Sequence, residues 1–408
     1  MRACADCLRR SRLLGDLSPA LDRPAARLPL FVTHDLEEQA ASVLGPGRRR
    51  PRALDRSDDD LLTDARADED DLGVEALCLH APEYPRRLRD LGDPPAVLHV
   101  LGGVERLRAV LGPDLGRASV AIVGARRAPA DARRVARRLG EAASGSGIAV
   151  VSGMAFGVDA AAHEGALAPG PAGAGVGGTI AVLAGGPERA TPARMRHLHE
   201  RIAEYGVVVS ELPPGVAPRR WSFPARNRII AALGDALVVV ACAHGSGSLR
   251  SVQHAFALGR PIGAVPGPVL EPAYAGSNAL LRGGSLWDDE LDAVRAIVEP
   301  DDVRPLLRGD LLQPRATEVA KTGDDPKPQR EVPLPDGPIE SIDLLSGLDG
   351  EARALAERLL GGPRTIEGLI DEVGVSAVLT GLGALEQEGR LRRGLGGDLE
   401  LMTARPRP

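Results

Sequence analysis

The sequence predicts an α/β protein built on a doubly wound parallel sheet, because strand-like and helix-like segments alternate through its centre. Six short runs rich in Val, Ile and Ala have the near-continuous apolar character of strands that are buried on both faces. They are residues 119–123, 148–151, 179–183, 207–209, 236–241 and 262–265. Gly, Ser and Pro cluster after these runs, at the edge where open α/β sheets bind ligands. We therefore expect the functional site at the carboxyl ends of the strands.

Length and composition limit the number of domains and the residue types that can form the core. The chain has 408 residues, of which 43% are hydrophobic and only 2% aromatic, so its core must be built from Ala, Val, Leu and Ile. This length allows two or three domains. All basic residues except Lys321 and Lys327 are Arg, which indicates a compositional bias and weakens an argument from any single Arg.

Charge is distributed unevenly along the chain. The net charge is −6, but residues 117–284 hold 18 Arg against 10 Asp and Glu, so the remainder carries −14. A basic centre between acidic flanks fits a polyanionic ligand. Solvated helix faces, as in the Arg-rich run 132–138, would explain the same surplus, and charge alone does not separate the two interpretations.

The segments before the sheet are predicted to be mostly helical. Helical patterns cover 8–17 and 34–45, and the second ends at a Gly-Pro-Gly breaker. The acidic run 55–71 is interpreted as a solvated linker or exposed helix. The short apolar run 96–103 then predicts a strand that leads into the main sheet.

The C-terminal part predicts a linker followed by a small domain. A tract rich in Pro and charge lies at about 300–340, and 350–402 has the pattern of three helices and a hairpin, which is typical of a winged helix. The second helix of its helix-turn-helix, 376–388, carries no Arg or Lys, so protein contact or packing is as good an interpretation as DNA binding. The predicted division is a helical N-terminal region with acidic linker, a DNA-binding core, a linker and a winged-helix domain, at 1–78, 79–292, 293–345 and 346–404.

The four cysteines bear on metal binding and on the compartment. Cys4-x-x-Cys7 has the spacing of half a zinc site, but the sequence offers no second pair or neighbouring His to complete it, so we predict no metal. So few cysteines indicate a reducing compartment. No stretch approaches the ~20 apolar residues of a membrane span, and no signal-type apolar segment stands at the N-terminus. We therefore expect a cytoplasmic protein without membrane association.

Three of the loops after strands are suited to anions. Gly124-Ala125-Arg126 lies where a strand gives way to a helix, so it combines close backbone approach, free N–H groups and a guanidinium. This loop lacks the G-x-G-x-x-G of dinucleotide sites, and we therefore predict neither NAD nor FAD nor another cofactor. Ser246-Gly247-Ser248 offers hydroxyl and N–H groups before another helix, and Pro266-Gly267 ends the last strand.

The second strand is followed by two titratable residues on one helix face. Asp159 and His163 stand four residues apart, after Ser152 and Gly153. This spacing would suit an acid–base pair or two metal ligands. Because no nucleophile or third ligand is evident, we favour the interpretation that Asp159 orients the loop and His163 packs against it.

The densest polar cluster is the sequence Phe223-Pro224-Ala225-Arg226-Asn227-Arg228 at the start of a helix. Two Arg around an Asn suit phosphate oxygens and a base edge. Trp221 and Phe223 are candidates for stacking on bases. The competing interpretation is that one Arg pairs with Glu211 and holds neighbouring loops together, which we expect of at least one.

Together these motifs resemble the DNA-processing protein A family (DprA, also called Smf). The resemblance is strong over about 80–285 and looser at the C-terminal end. It rests on the order and spacing of YPRRL at 84–88, DPPAVLHVLG at 93–102, VAIVGAR at 120–126, SGMAFGVDAAAH at 152–163, SE at 210–211, FPARNRIIAAL at 223–233, SGSL at 246–249, VPG at 265–267 and GSNALL at 276–281.

The resemblance implies a Rossmann-like core that forms a homodimer and binds single-stranded DNA without sequence preference. It also implies a small helical N-terminal domain and a C-terminal winged-helix domain. The family protects incoming strands and delivers them to the RecA recombinase in natural transformation, so we expect a competence protein and recombination mediator without catalysis.

Within this resemblance, Gly124 and Arg126 match the phosphate-binding loop of the family, and residues 226–228 match its Arg-Asn-Arg signature. We expect Asp159, His163 and Glu211 to orient loops. The expected DNA-binding residues are Gly124, Arg126, Arg127, Ser152, Gly153, Arg194, Phe223, Arg226, Asn227, Arg228, Ser246, Gly247, Ser248, Pro266 and Gly267.

The chain departs from the family pattern at three places. Pro129 stands where the family usually has Ser, 191–195 replaces a Tyr-Pro-x-x-Asn sequence, and Ala241 replaces a common Glu. We expect these changes to affect DNA affinity more than the fold, with Arg194 or Arg196 as a substitute contact.

Two other functions remain open from the sequence. The first is a nucleotide-binding enzyme or sensor of a related Rossmann-like class. Enzymes of that class cleave nucleoside monophosphates between base and ribose and carry a PGGxGTxxE loop with a catalytic Glu. The nearest stretch here has Ser251 or Gln253 where the acid is needed. The other alternative is an interaction scaffold that acts through the winged helix.

Overall fold

A computed structural model of the chain describes two compact units, Met1–Arg315 and Ala316–Pro408. The described residues are 2–22, 35–45, 49–112, 116–168, 178–282, 294–308, 350–359, 391–393 and 399–401, with Leu369, Val378, Leu382 and Leu385. None of the described helices has the length and apolar character that crossing a membrane requires.

The first unit alternates helices and strands. Its helices are α1 Ala5–Leu21, α2 Leu36–Leu44, α3 Asp58–Leu72, α4 Val104–Leu111, α5 Ala130–Gly145, α6 Val158–Ala166, α7 Arg196–Tyr205, α8 Ser222–Leu233, α9 Ser248–Ala257, α10 Ala275–Leu281 and α11 Val303–Arg308. Its strands are β1 Val74–Cys78, β2 Val97–Leu101, β3 Ser119–Val123, β4 Ala149–Ser152, β5 Thr179–Val182, β6 Val207–Ser210, β7 Ala236–Val239, β8 Ile262–Ala264 and β9 Val294–Ala296.

These strands form one sheet in the order β1-β2-β6-β5-β4-β3-β7-β8-β9. From β6 to β9 all neighbours are parallel, whereas β2 pairs antiparallel with both β1 and β6. The predicted α/β fold with a doubly wound parallel sheet is therefore confirmed, and each of the six predicted apolar runs forms a strand. The strand order reverses at β3, because β4 lies on one side of it and β7 on the other.

Alternate residues of β3 pack on opposite faces of the sheet. Val120 and Ile122 belong to a cluster with Ala136 and Leu139 of α5. Ala121 and Val123 belong to a second cluster, to which α8 and α9 contribute Ile229 and Val252 among others. Since helices cover both faces, the strands are apolar throughout, as the sequence pattern indicates.

The acidic run before the sheet is a helix rather than a linker. The Ser57 hydroxyl accepts a hydrogen bond from the Asp60 N–H at 3.1 Å, and the Asp60 carboxylate accepts one from the Ser57 N–H at 3.4 Å. This capping box starts α3, and Gly73, with φ of +67°, ends it. Leu61 and Ala65 are buried, so the acidic side chains face outward around a narrow apolar stripe.

Residues 294–308, which the sequence pattern assigns to the linker, are part of the first unit. β9 pairs with β8, with Val294 opposite Ile262. Ile297, Val303 and Leu306 are buried in the cluster of α5. Their apolar side chains pack on one face of the sheet. The sequence pattern does not show this, because the apolar residues stand next to a highly charged tract.

The predicted boundary after residue 78 falls at the end of β1. The other predicted domain boundaries stay predictions.

The second unit contains α12, Gly350–Leu359, and an antiparallel pair, β10 Leu391–Arg393 and β11 Leu399–Leu401. Leu391 lies opposite Leu401 in this pair. The first helix and the hairpin strands of the predicted winged helix are thus present. Most of its other two helices lies outside the described residues, so the winged-helix domain stays a prediction.

Candidate functional site

A cleft of about 730 Å³ lies at the point where the strand order reverses. Its walls are the loops after β3 and β7, the start of α8 and the loop between β4 and α6. Open α/β sheets bind ligands at such switch points, because the loops on the two sides diverge there. The predicted loops 124–126 and 246–248 both line this cleft.

Gly124 allows the loop after β3 to pass close to its neighbours. A Cβ atom on this residue would lie 2.6 Å from Cγ2 of Val158 and 2.8 Å from the Ala241 carbonyl oxygen. The Gly124 carbonyl accepts a hydrogen bond from the Ser248 hydroxyl at 2.8 Å, and Ala125 N–H donates to the Ala241 carbonyl at 2.7 Å. The loops after β3 and β7 therefore form one connected wall.

Arg126 is an exposed cation at the edge of the cleft. Its guanidinium carbon lies 5.2 Å from the centre of the half-buried Phe223 ring, which is a cation–π contact. In the part of the chain that the structure describes, Arg126 forms no ion pair with a carboxylate. Phe223 thus orients a guanidinium that is free to bind an anion.

Arg226 also lines the cleft, but its guanidinium is turned into the protein. The side chain is 8% exposed, and Nη1 donates to the carbonyl oxygens of Gly153 and Val182, the latter at 2.6 Å. Nη2 lies 3.9 Å from Oδ2 of Asp159. Burial lowers the pKa of Arg226 and raises that of Asp159. Arg226 therefore joins the ends of β4 and β5, which corrects its prediction as a phosphate clamp.

Asp159 has the loop-orienting position that the sequence favours. Its Oδ2 accepts hydrogen bonds from the N–H groups of Gly153 and Ala155, at 3.2 and 3.4 Å. His163 is buried and its Nδ1 lies 2.7 Å from the Thr179 hydroxyl. Burial lowers the pKa of His163 to about 3. Both side chains are therefore held by partners inside the protein, with Asp159 5% exposed and His163 fully buried.

Arg228 is an internal ion-pair residue rather than a phosphate clamp. Its Nη1 and Nη2 donate to the two carboxylate oxygens of Glu211 at 3.0 and 2.6 Å, and Nε donates to Asp93 at 2.9 Å. Burial alone would lower the pKa of Arg228, but the two carboxylates raise it above its usual value. The interpretation that one Arg of the cluster pairs with Glu211 is the one that the structure supports.

The N-termini of α8 and α9 both border the cleft. Asn227 of α8 donates to the Gly247 carbonyl at 3.3 Å, which ties the two helix starts together. Ser248 N–H donates to the Ser246 hydroxyl at 3.3 Å. Helix N-termini carry partial positive charge and free N–H groups, so this wall of the cleft favours anions.

Two cations of the cleft were not among the predicted residues. Arg220 and Arg250 line it, are exposed and form no ion pair within the described ranges. They flank the predicted clusters, Arg220 just before Trp221 and Arg250 two residues after Ser248. In so Arg-rich a chain, their sequence positions alone do not distinguish them from Arg226 and Arg228.

Trp221 does not have the base-stacking position suggested for it. Its ring N–H donates to the Ser18 carbonyl at 2.9 Å, and the side chain packs in a cluster with Leu14 and Leu17 of α1. The residue therefore fixes α1 to the start of α8. Phe223 is the aromatic residue that lines the cleft.

Six other predicted DNA-binding residues lie outside the lining of the cleft. One is Gly153, which is buried and whose carbonyl oxygen accepts the hydrogen bond from Arg226. The Ser152 hydroxyl is buried and donates to the Ile122 carbonyl at 2.6 Å, so it cannot contact DNA in this conformation. Pro266 lines a separate cleft with Arg134 and Arg138 of α5. The others are Arg127 and Arg194, which are exposed, and Gly267, whose N–H and C=O both bond to Asn278 at 3.0 Å.

The cleft therefore has a strongly positive rim. Arg126, Arg220 and Arg250 are exposed around it. Among the described residues that line it, the only carboxylate is Asp159, which is buried beside Arg226. Such a site can bind an extended anion through guanidinium and N–H groups, with an aromatic ring at its edge.

Comparison with known proteins identifies related sequences and a related structure. The family model of DNA recombination-mediator protein A matches residues 75–296. A DNA processing protein DprA of Mycobacterium tuberculosis is 38% identical over 281 residues, which cover 66% of this chain and 69% of the relative. The DprA of Bacillus subtilis is 33% identical over 220 residues, or 53% of this chain and 70% of that protein. The X-ray structure of Streptococcus pneumoniae DprA is 25% identical with a TM-score of 0.54, covering 74% of this chain and 98% of that one.

Proposed function

The chain belongs to the DNA recombination-mediator protein A family, and we propose that it binds single-stranded DNA in the cleft between the ends of β3 and β7. Members of this family are recombination mediators and not enzymes. The observation that carries the proposal is the arrangement of Arg126, Arg220 and Arg250, three exposed guanidinium groups without ion pairs among the described residues, around one cleft.

The chemistry of this rim fits a nucleic-acid backbone. Guanidinium groups donate to phosphate oxygens in pairs, and the two helix N-termini add N–H donors that need no base sequence. The Phe223 ring offers a stacking surface, which an unpaired base can reach and a base inside a duplex cannot. These features support binding that selects single strands and tolerates any sequence.

The finer functions rest on the family resemblance. We propose that the chain protects incoming strands and loads RecA onto them during natural transformation, in the cytoplasm. We also propose that it acts as a homodimer through its Rossmann-like core, with the winged helix as a protein-contact or packing element. RecA filament formation on strands coated with a single-strand-binding protein tests the loading step, and size-exclusion chromatography with light scattering tests the dimer.

The enzymatic alternative has little support in the cleft. Ser251 lines it but is 1% exposed, and Gln253 is not among the lining residues. Asp159, the only carboxylate of the lining in the part of the chain that the structure describes, pairs with Arg226 and accepts hydrogen bonds from two backbone N–H groups.

Fluorescence anisotropy of a labelled strand of about 30 nucleotides, longer than one ~4–16-nucleotide site, tests DNA binding directly. We expect unlabelled single strands to compete and duplex to compete poorly. If three phosphates are neutralised, the slope of log K against log salt should be about −2. Equal competition by duplex, or no binding at low salt, would refute the proposal.

A further inference from the structure

A compact group of metal-ligating side chains lies away from the cleft, where the N-terminal helix meets the edge of the sheet. The candidate ligand atoms of Cys4, Cys7, Cys78 and His80 all lie within 4.8 Å of one another. Nδ1 of His80 is 3.5 Å from the sulfur of Cys4 and 3.3 Å from that of Cys7. The sequence pattern reveals only the first half of this group, because the second half follows about seventy residues later.

The fold brings the two halves together through β1. Cys4 is the N-cap of α1 and Cys7 lies in its first turn. The residues just before α1 pair with β1. Arg2 forms a parallel bridge with Leu77, and the Cys78 N–H donates to the Arg2 carbonyl at 3.0 Å. β1 ends at Cys78, which places His80 beside the helix start.

We propose that Cys4, Cys7, Cys78 and His80 form a structural zinc site that fastens α1 to the edge strand β1. Three thiolates and one imidazole are a common zinc ligand set, and C-x₂-C is a typical spacing for two of them. Bonds of about 2.3 Å to sulfur and 2.0–2.1 Å to nitrogen place tetrahedral ligand atoms roughly 3.5–3.8 Å apart. The sulfur–nitrogen distances of 3.3 and 3.5 Å are close to that spacing.

The surroundings of the group are those of a structural site. Cys7 and Cys78 are 2% and 3% exposed and pack with Leu8 and Leu61, whereas Cys4 and His80 are exposed and leave a path for the ion. Four protein ligands fill a tetrahedral zinc, so no position remains for a substrate.

Zinc at this position would affect more than the N-terminus. α1 also holds Trp221, whose ring N–H bonds to Ser18, and Trp221 immediately precedes α8 of the cleft. The metal would therefore fix the helix against which one wall of the cleft is built. It stabilises the folded chain because the unfolded chain does not hold the four ligands together.

The metal content of the full-length chain tests the site. The protein is incubated with zinc chloride under reducing conditions, desalted and measured by inductively coupled plasma mass spectrometry. We expect about one zinc per chain in the wild type, as for a site with four ligands. The Cys4→Ser/His80→Ala variant should lose most of it, and because both positions are exposed, the substitutions leave the apolar core unchanged. Cys242→Ala, which removes a buried thiol elsewhere in the sheet core, should retain it.

Cobalt(II) provides a second measurement on the unaltered protein. We expect the thiolate-to-cobalt charge-transfer band and the intense visible bands of tetrahedral cobalt, both removed by equimolar zinc. Absence of zinc and of these bands in the wild type would overturn the proposal. Equal zinc in Cys4→Ser/His80→Ala and Cys242→Ala would overturn it as well. None of these results depends on DNA binding, so the site and the proposed function fail or succeed separately.

Discussion

The Arg228 guanidinium donates to both carboxylate oxygens of Glu211, with Nη1···Oε2 at 3.0 Å and Nη2···Oε1 at 2.6 Å. The same side chain reaches Asp93, through Nε to the carboxylate and through Nη2 to the backbone carbonyl. Arg228 therefore connects α8 to the loop after β6 and to the segment before β2. The sequence predicts Arg228 as a DNA contact, but in the structure it forms hydrogen bonds that link three segments of the fold.

Replacing Arg228 should act on stability before it acts on DNA. Arg228→Ala leaves the carboxylates of Glu211 and Asp93 without their buried partner, and removal of one member of such a group costs about 3–5 kcal/mol. We expect a lower urea midpoint of unfolding. Arg250→Ala, an exposed control on α9, should change stability by no more than about 0.5 kcal/mol. An Arg228→Ala protein with the wild-type midpoint but without DNA binding would contradict the assignment.

The rim arginines should carry the salt dependence of DNA binding. Arg126→Ala, Arg220→Ala and Arg250→Ala are each expected to weaken oligo-dT binding about tenfold, or ~1.4 kcal/mol. The slope of log K against log salt should flatten by about 0.7 for each phosphate that is no longer neutralised, because fewer counterions are released. Anisotropy titrations over a salt series measure both quantities.

Arg66 offers a matched control for these variants. It is an exposed Arg on α3, outside the lining of the cleft, and it forms no ion pair within the described ranges. Arg66→Ala should leave affinity and slope unchanged. If it weakened binding as much as Arg126→Ala, the effect would reflect overall charge and not the cleft.

The contact between Arg126 and Phe223 should be measurable as a coupling energy. The guanidinium carbon lies 5.2 Å from the ring centre, a distance at which exposed cation–π pairs contribute about 0.5–1 kcal/mol. We expect Phe223→Ala to weaken single-strand binding and the double variant with Arg126→Ala to lose less than the sum of the two single losses. Strict additivity in this double-mutant cycle would mean that the ring does not orient the arginine.

Gly124 should tolerate no side chain, whereas Gly247 should tolerate a methyl group. A Cβ at Gly124 would lie 2.6 Å from Val158 and 2.8 Å from a backbone oxygen, but nothing lies within 4 Å of a Cβ at Gly247. We expect Gly124→Ala to destabilise the fold by about 1–3 kcal/mol through overpacking. Gly247→Ala should unfold at nearly the wild-type urea concentration, and equal losses in the two variants would disprove the packing argument.

Protonation of His163 should lower the free energy of unfolding in mild acid. Burial lowers its folded-state pKa to about 3 from the ordinary 6.5, so between these values the unfolded chain binds a proton that the folded chain does not. Its contribution to the free energy of unfolding is therefore complete above pH 6.5 and falls as the pH falls. At pH 5 the loss is about 2 kcal/mol.

His163→Asn removes this titration and still offers a polar atom to Thr179. Urea unfolding at pH 7.5 and pH 5 should show a smaller acid loss for this variant than for the wild type. His197→Asn, at an exposed position of α7, should keep the wild-type loss. Identical pH dependence in the wild type and His163→Asn would refute the prediction.

The sheet and the position of the site follow from the sequence alone. The strands of a sheet covered on both faces must be apolar at every position, so runs such as 119–123 and 236–241 are visible without any contact being known. The loop that contains Gly124 is visible for a similar local reason, because a strand gives way there to a helix start. Residues 294–308 cannot be recognised in this way, since the three residues of β9 are too short an apolar signal beside a charged tract.

The role of each polar side chain depends instead on the tertiary structure. Arg126, Arg226 and Arg228 look alike in the sequence, yet Arg126 is exposed and the other two are enclosed by partners from distant segments. The half-site of Cys4 and Cys7 is likewise joined by Cys78 and His80 only because β1 docks beside α1. Backbone structure follows from local pattern and apolar burial, whereas the role of a charge or a thiol depends on which groups lie within a few ångströms of it.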